Sequence, residues 1–391
     1  MKQKLKLVLG IAIISLLGQP MTMLSPALST FQSSFPDVAE TTIQSLITLP
    51  SLVSIPFFFV GGLLSRKVST KHMVNLGIIL ISIGGLLPAV LQNFTLILVC
   101  RAVMGMGIGF LSPFSQSLIS DNFSGRDITL LFGIQAAAIS AGNMIGCYIS
   151  GALAAFNYQA SFLCYLLGPI ALVAALICVP NVSEHPAEPG KSALQDYLHI
   201  PLDLWLRYLF QIVFALVYFS YFNNASLLIA EKGLGNTSDA GFTTALSSLI
   251  GIAAGLLMPK IHDCLKRCMV PAMTGVMALG MLAMVCAKSL LLIHIASFLI
   301  GFAYSVIMPY VVANLTRSSP GLNHTVTSSL FVAANGIGAS VSAIVLNGIS
   351  GLLGMTGSVG QVQIGVCFAT ILCICTILYV CVNKNSLKGA S

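Results

Sequence analysis

Charge is scarce along this chain. Asp, Glu, Lys and Arg make up 7% of its 391 residues, where a soluble domain carries about a quarter, and 57% of the residues are apolar. That balance excludes a water-soluble fold and makes lipid the solvent. Acidic groups are scarcer still, at eleven, and none falls in the middle of an apolar run. The eleven cysteines are scattered, mostly inside apolar runs, and form no set that reads as a disulfide framework. Cys264-x-x-x-Cys268 and Cys373-x-Cys375 lack further ligands at metal spacing, so no metal site is expected. Gly190-Lys191-Ser192 imitates the end of a P-loop, yet His185 stands where the first glycine belongs and no strand precedes it. ATP-driven chemistry is not supported, and neither a cofactor nor an enzyme activity is expected, because no His/Asp/Ser constellation is present.

Long apolar runs take the place of these features. A helix needs roughly 20 apolar residues to cross about 30 Å of hydrocarbon. Twelve segments qualify, at 7–29, 42–64, 73–91, 94–119, 128–150, 160–180, 206–229, 241–261, 269–287, 289–314, 325–350 and 360–382. Backbone N–H and C=O groups find no water in lipid, so each segment must be helical. Fifteen Lys and Arg, from Lys2, Lys4 and Lys6 through Arg66, Lys67 and Lys71 to Lys384 and Lys388, fall on one face of this topology, and only Lys232 and Lys288 on the other. The positive-inside rule then sets both termini in the cytoplasm of a multi-pass cell-membrane protein. The net charge of +7 is topological, and no nucleic-acid partner is expected. Lys2 to Lys6 before an apolar run imitates a secretory signal, but the run is long enough to serve as the first span. Compact size and short loops fit a bacterial protein.

The chain also repeats itself about 195 residues apart. Ala141-Gly142-Asn143-Met144-Ile145-Gly146 returns as Ala333-Ala334-Asn335-Gly336-Ile337-Gly338, Gly105 and Pro113 return as Gly301 and Pro309, and 49–55 echoes 246–252. Duplicated halves of this kind are typical of membrane transporters. The expected fold is all-α, with twelve transmembrane helices in two pseudo-symmetric six-helix bundles. Residues 1–180 and 206–391 form the bundles, and the polar, proline-bearing stretch 181–205 links them. Pro20, Pro26, Pro50, Pro56, Pro113 and Pro309 lie inside spans and should kink them.

Arg101-Ala102-Val103-Met104-Gly105-Met106-Gly107 in the fourth span resembles the Arg-x-x-x-Gly-x-Gly signature of the major facilitator superfamily. Gly133, Gly142, Gly146 and Gly151 resemble that superfamily's fifth-helix antiporter motif, with Cys147 in place of its proline and Ser150 in place of a glycine. The stretch from Gly62 through Arg66 and Lys67 to Lys71 is similar to its loop motif, with Arg66 at the aspartate position and Ser69 at a glycine position. The lock attributed to that aspartate is therefore not carried over; Asp121 near Arg126 is the candidate for a substitute charge pairing. The resemblance implies two bundles rocking about a central site lined by the first, fourth, seventh and tenth helices. The fifth-helix motif implies a drug/proton antiporter.

The residues supply their own site pattern. Arg101 is costly inside a span, by roughly 2.5–3.5 kcal/mol on insertion scales, and marks function by default. Gly105, Ile108, Ser112 and Ser115 share its helix face. Polar stripes recur as Ser15, Gln19 and Thr22 in the first span, Gln211, Tyr218 and Tyr221 in the seventh, and His294, Ser297, Gly301, Tyr304 and Ser305 in the tenth. These supply the candidate substrate cavity: Arg101, Gln19, Thr22, Ser112, Gln211, Tyr218, Tyr221, Ser297 and Tyr304. Ala138, Gly142, Gly146 and Ser150 form a small-residue stripe, echoed by Asn335, Ala339 and Ala343, which lets helices approach closely as packing or as a rocking interface. Asn143 and Asn335, matched across the repeat, are helix glue or substrate contacts. Gly105 and Gly338 complete the packing set.

No mid-span carboxylate is available to trade a proton. The coupling candidates are His294, whose ordinary pKa near 6.5 suits a proton carrier, and Glu231 at the outer mouth. The leading expectation is secondary active, proton-coupled efflux of small amphipathic compounds. The alternatives are an organic-anion carrier with Arg101 as counter-charge and, of another class, a transporter-like sensor. The expected partners are the bilayer, a small-molecule substrate and a coupling proton. One chain suffices for a cavity, so a monomer is expected.

Overall fold

Helices are what this sequence can afford in lipid, and a computed structural model of the chain shows twelve long helical units among the described residues. It describes residues 2–64, 68–123, 126–179, 202–317, 324–355 and 357–382. The first helix is broken into Lys2–Ser15, a 3₁₀ piece at Pro20–Ala27 and Leu28–Ser34. Then come Glu40–Leu64, Thr70–Leu86 with a 3₁₀ extension to Val90, Phe94–Asn122, Arg126–Ala154, and a sixth helix assembled from Tyr158–Ser161, Phe162–Leu166 and Leu167–Cys178. The second set is Leu202–Glu231, Thr237–Leu265, Met269–Cys286, Leu290–Arg317, His324–Leu352 and Gly357–Val382. Eleven are long and apolar enough to cross a membrane by length and composition. The eighth, Thr237–Leu265, is the more polar one, and its Thr243, Thr244, Ser247 and Ser248 are all buried.

Local chemistry sets the ends. Asn93 caps the fourth helix, its Oδ1 accepting from the N–H groups of Thr95 at 2.9 Å and Leu96 at 3.3 Å. Asn157 caps the sixth through the Ala160 N–H. Around Pro20 and Pro26 the first helix is broken outright rather than kinked: turn residues 16–19 lead into the 3₁₀ piece that holds both prolines. The second helix runs through Pro50 and Pro56 unbroken.

Helix pairings repeat with an offset of six. Helix 2 packs on 4 as 8 packs on 10; 3 packs on 4 as 9 on 10; 3 on 6 as 9 on 12; 5 on 1 as 11 on 7. Between the two sets the main contacts are helix 5 on helix 8 and helix 2 on helix 11, again related by six. Helix 5 approaches helix 1 so closely that a Cβ on Gly142 would sit 2.0 Å from the Leu16 carbonyl oxygen; a Cβ on Gly338 would sit 2.3 Å from that of Ile212. Both members of these contacts are 196 residues apart. This register corrects one sequence expectation: Gly142 answers to Gly338, so Asn143 and Asn335 are one helical turn out of step and are not equivalents. The 141–146 echo had aligned two glycine stripes one turn off.

The linker 181–205 lies largely outside the described residues, as do Arg66 and Lys67 of the loop motif. Gly62 stands in the last turn of helix 2, and Lys71 donates from Nζ to the Leu176 carbonyl at 2.9 Å. The helix faces turned away from the core carry Leu, Ile, Val and Phe, for example Val90, Ile170, Leu279 and Ile344, as a lipid contact requires.

Candidate substrate site and gate

Arg101 is fully buried, and its donors are given to the protein. Nε donates to the Leu46 carbonyl at 2.7 Å, one terminal nitrogen to the Tyr165 hydroxyl at 2.8 Å, and the other to the Met21 carbonyl at 3.2 Å. The guanidinium carbon lies 5.4 Å from the Tyr165 ring centre, and Tyr165 in turn donates to the Pro20 carbonyl at 2.8 Å. The geometry has a local cause. Leu46 is four residues before Pro50, which has no N–H, so the Leu46 carbonyl loses its helical donor and Arg101 replaces it. Pro20 and Met21 belong to the broken segment of helix 1, where the backbone also lacks α-helical partners. Arg101 thus braces two proline-disrupted helices, and three of its five N–H groups are committed there. Sequence reading did not connect it to Leu46 or Tyr165, although Pro50 was the available signal.

All the other predicted cavity residues except Ser112 gather in three groups. Tyr304, Tyr218, Gln211, Asn335 and Gln19 form the first. Tyr218 and Tyr304 stack with ring centres 3.5 Å apart and planes 7° from parallel, and Phe214 stacks on Tyr304 at 5.9 Å. Gln211 is fully buried; its Nε2 donates to Asn335 Oδ1 at 3.0 Å and approaches the Met308 sulfur at 3.3 Å. Its Oε1 and the Tyr304 hydroxyl have no hydrogen-bond partner. That hydroxyl faces Asn335 and the half-buried Gln19, which sits in the break of helix 1. Buried polar atoms without a partner are costly, so both are acceptor or donor groups that a small molecule entering here can bond.

Thr22, Asn143 and Ser248 form the second group. Thr22 Oγ1 donates to Asn143 Oδ1 at 2.7 Å, and Asn143 Nδ2 donates to Ser248 Oγ at 2.8 Å. Asn143 therefore ties helices 1, 5 and 8. Around it Gly146 lies against Met23 and Gly151 against Gly241. The third group joins Tyr221 and Ser297 at 2.5 Å, both reaching the Thr243 carbonyl. His294 is half-buried beside this group, with Nδ1 3.0 Å from Thr243 Oγ1 and its ring edge on Phe242. Ser112 is half-buried on helix 4, one turn before Ser115, which accepts from Gln135 Nε2 at 3.0 Å. A Cβ on Gly105 would meet the Pro50 carbonyl at 2.5 Å.

Glu231 is exposed at the end of helix 7 and accepts from the Ser358 N–H at 2.9 Å and its hydroxyl at 2.5 Å. Next to it, Lys232 donates to the carbonyls of Val285 at 2.5 Å and Ala287 at 3.1 Å, which end helix 9; burial there holds its pKa below the ordinary lysine value.

A hydrogen-bonded seam that the sequence reading missed lies at the same end. Gln44 Nε2 donates to Gln361 Oε1 at 2.8 Å, Gln361 Nε2 to Asn347 Oδ1 at 2.8 Å, and Asn347 Nδ2 to Gln44 Oε1 at 2.9 Å. Three carboxamides from helices 2, 11 and 12 close a ring across the two sets. The remaining N–H of each is also placed: Gln44 on Asn224 Oδ1 at 3.1 Å, Asn347 on the Ala343 carbonyl at 2.8 Å, and Gln361 on Glu40 Oε1 at 2.8 Å. Nearby, Ser29 and Ser226 hydroxyls meet at 2.7 Å, Ser226 donates to the Pro26 carbonyl at 2.6 Å, and Ser25 donates to the Phe222 carbonyl. Glu40, Gln44, Thr48 and Ser51 at helical spacing were the sequence signal for this seam.

Comparisons with known proteins agree with this architecture. The Major Facilitator Superfamily model matches residues 10–343. The quinolone resistance protein NorA of Staphylococcus aureus strain Mu50 is 24% identical over 180 residues, 45% of this chain and 44% of NorA. The MFS-type efflux pump MMF1 of Mycosarcoma maydis is 27% identical over 160 residues, 40% of this chain and 25% of the pump. The chain thus spans less than half the length of these relatives. Among solved structures, a variant of the nucleoside transporter NupG matches with a TM-score of 0.78 at 12% identity, covering 95% of this chain and 99% of that one. A variant of the peptide transporter POT matches with a TM-score of 0.74 at 13% identity, covering 96% and 94%. The paired helices, the repeat and the matched family model lead to one statement: this chain is a multi-pass membrane transporter, not an enzyme, and belongs to the major facilitator superfamily.

Proposed function

We propose that the chain exports small amphipathic compounds in exchange for protons, by rocking residues 1–180 against 206–391 so that a midplane site opens to each side in turn. The observation that carries this reading is the Tyr304 cluster: stacked aromatic rings and amides, no charge, and two buried polar atoms without partners at Gln211 and Tyr304. Such a surface offers a planar aromatic compound stacking area and one or two hydrogen bonds. It lies where the first, seventh, tenth and eleventh helices meet. The glycine stripe of helix 5, packed on helices 1 and 8, supports the antiporter reading, as does the similarity to proteins named as a quinolone resistance protein and an efflux pump. The anion-exchange alternative draws less support, since Arg101 has no exposed surface and commits three of its five N–H groups to Leu46, Met21 and Tyr165.

Ethidium and a set of organic anions, tested against the purified protein in detergent and in liposomes, decide between them. The expected result is ethidium binding and pH-gradient-driven transport, both weakened about tenfold by Tyr304→Ala, the loss expected of one aromatic anchor. Transport of anions alone, insensitive to Tyr304→Ala and the pH gradient, would overturn the efflux reading.

A further inference from the structure

Two sets of polar contacts join the halves near the ends of helices 1, 2, 7, 11 and 12. The seam of Ser25, Ser29 and Ser226 is made of hydroxyls and carbonyls. The amide ring of Gln44, Gln361 and Asn347 differs in one respect: its outermost member is a carboxylate. Glu40, half-buried on helix 2, accepts from Gln361 Nε2 at 2.8 Å and, more weakly, from Gln44 Nε2 at 3.4 Å. One of these donors comes from the opposite half. Every amide N–H in the ring has an acceptor, so Glu40 receives the last donor of Gln361, and the ring holds no spare one.

We propose that Glu40 is the proton-exchanging residue that couples the pH gradient to opening of this clasp. The inference rests on the proton-coupled reading above. A proton drives a conformational change only if the two states bind it with different affinity. Glu40 meets that condition by position. With the clasp closed, its carboxylate is partly desolvated and held by amides from both halves. When helix 2 separates from helices 11 and 12, Gln361 leaves and water replaces it. No covalent bond changes; a proton moves between the Glu40 carboxyl and bulk water. The charged neighbour across the clasp is Glu231 of helix 7, which acts on Glu40 electrostatically. Lys232 follows Glu231, with its ammonium turned to the carbonyls ending helix 9. Helix 12 faces Glu40 with Gln361, helix 11 contributes Asn347 behind it, and Asp37 precedes it in the connecting loop. His294 and Glu231, the sequence-derived carriers, bond only within the second half. Glu40 alone among these bridges both.

The test uses Glu40→Gln, which keeps the acceptor oxygen and shape but cannot ionise, with Glu40→Asp as the conservative control. In proteoliposomes, ethidium accumulation driven by a pH gradient should fall about tenfold in Glu40→Gln, a loss within the usual range of coupling free energies. Ethidium counterflow without a gradient should persist, and Glu40→Asp should keep gradient-driven transport. Hydrogen exchange of 40–47 and 343–361 supplies a readout that needs no substrate. After correction for intrinsic rates, wild-type protection there should vary with pH, and in Glu40→Gln it should not. Gradient-driven transport and pH-dependent protection that survive in Glu40→Gln would overturn the assignment while leaving proton-coupled efflux intact. Wild-type transport indifferent to the gradient would overturn proton coupling and this role with it.

Discussion

Arg101 and Ser297 are 196 residues apart and occupy the same place in the two halves, on helices 4 and 10. Each donates to a carbonyl of the neighbouring helix at corresponding positions, Leu46 at 2.7 Å and Thr243 at 2.5 Å. A Cβ on Gly105 would strike the Pro50 carbonyl, and one on Gly301 the Ser247 carbonyl, at 2.5 and 2.1 Å. The two halves therefore share a packing plan and differ in what breaks it. Pro50 deprives Leu46 of its helical donor; Ser247, at the matching site, retains its N–H. A long cation that reaches three acceptors braces the first half, and a hydroxyl suffices in the second, with Tyr221 beside it. A charge in the membrane is here explained by a missing backbone hydrogen bond in a different helix.

Mutations can break this comparison in graded steps. Arg101→Ala should have the largest effect, lowering the unfolding free energy by about 3 kcal/mol, because the Leu46 and Met21 carbonyls and the Tyr165 hydroxyl lose a charged donor; thermal unfolding in detergent measures it. Gly142→Ala and Gly338→Ala should each cost about 2 kcal/mol by forcing apart backbones that touch, and by similar amounts since the contacts are equivalent. Unequal losses would contradict the 196-residue register. Ser297→Ala should cost about 1 kcal/mol, the Thr243 carbonyl keeping Tyr221. Gly348→Ala, with nothing within 4 Å of its added methyl, should leave stability unchanged or raise it by up to about 1 kcal/mol. The comparison sharpens in a double-mutant cycle: in a Pro50→Ser background, which restores an N–H for Leu46, Arg101→Ala should cost about 1 kcal/mol less than in the wild type.

The fold was legible because lipid imposes it. Apolar runs had to be helices, and the repeat meant that the chain would build two similar sets of them. The break at Pro20 and Pro26 was visible as proline but read as kinks, since sequence does not say whether neighbours will replace the lost bonds. Tyr304, Tyr218 and Gln211 were legible as polar stripes on spans expected to face a cavity. Arg101 was conspicuous for its cost, yet its partners are main-chain atoms, which leave no trace in side-chain patterning. Glu40, Gln44, Gln361 and Asn347 escaped notice because the ring joins Gln44 to residues 303 and 317 positions away. Each alone is an ordinary polar residue near a helix end.

Simultaneous measurement of ethidium and proton movement in liposomes holding the wild-type protein tests the central claim most directly. Accumulation of ethidium against its gradient, with protons moving in the opposite direction and the flux collapsing when the pH gradient is dissipated, is the predicted result. Ethidium flux that only runs down its own gradient, with no accompanying proton movement, would contradict the account.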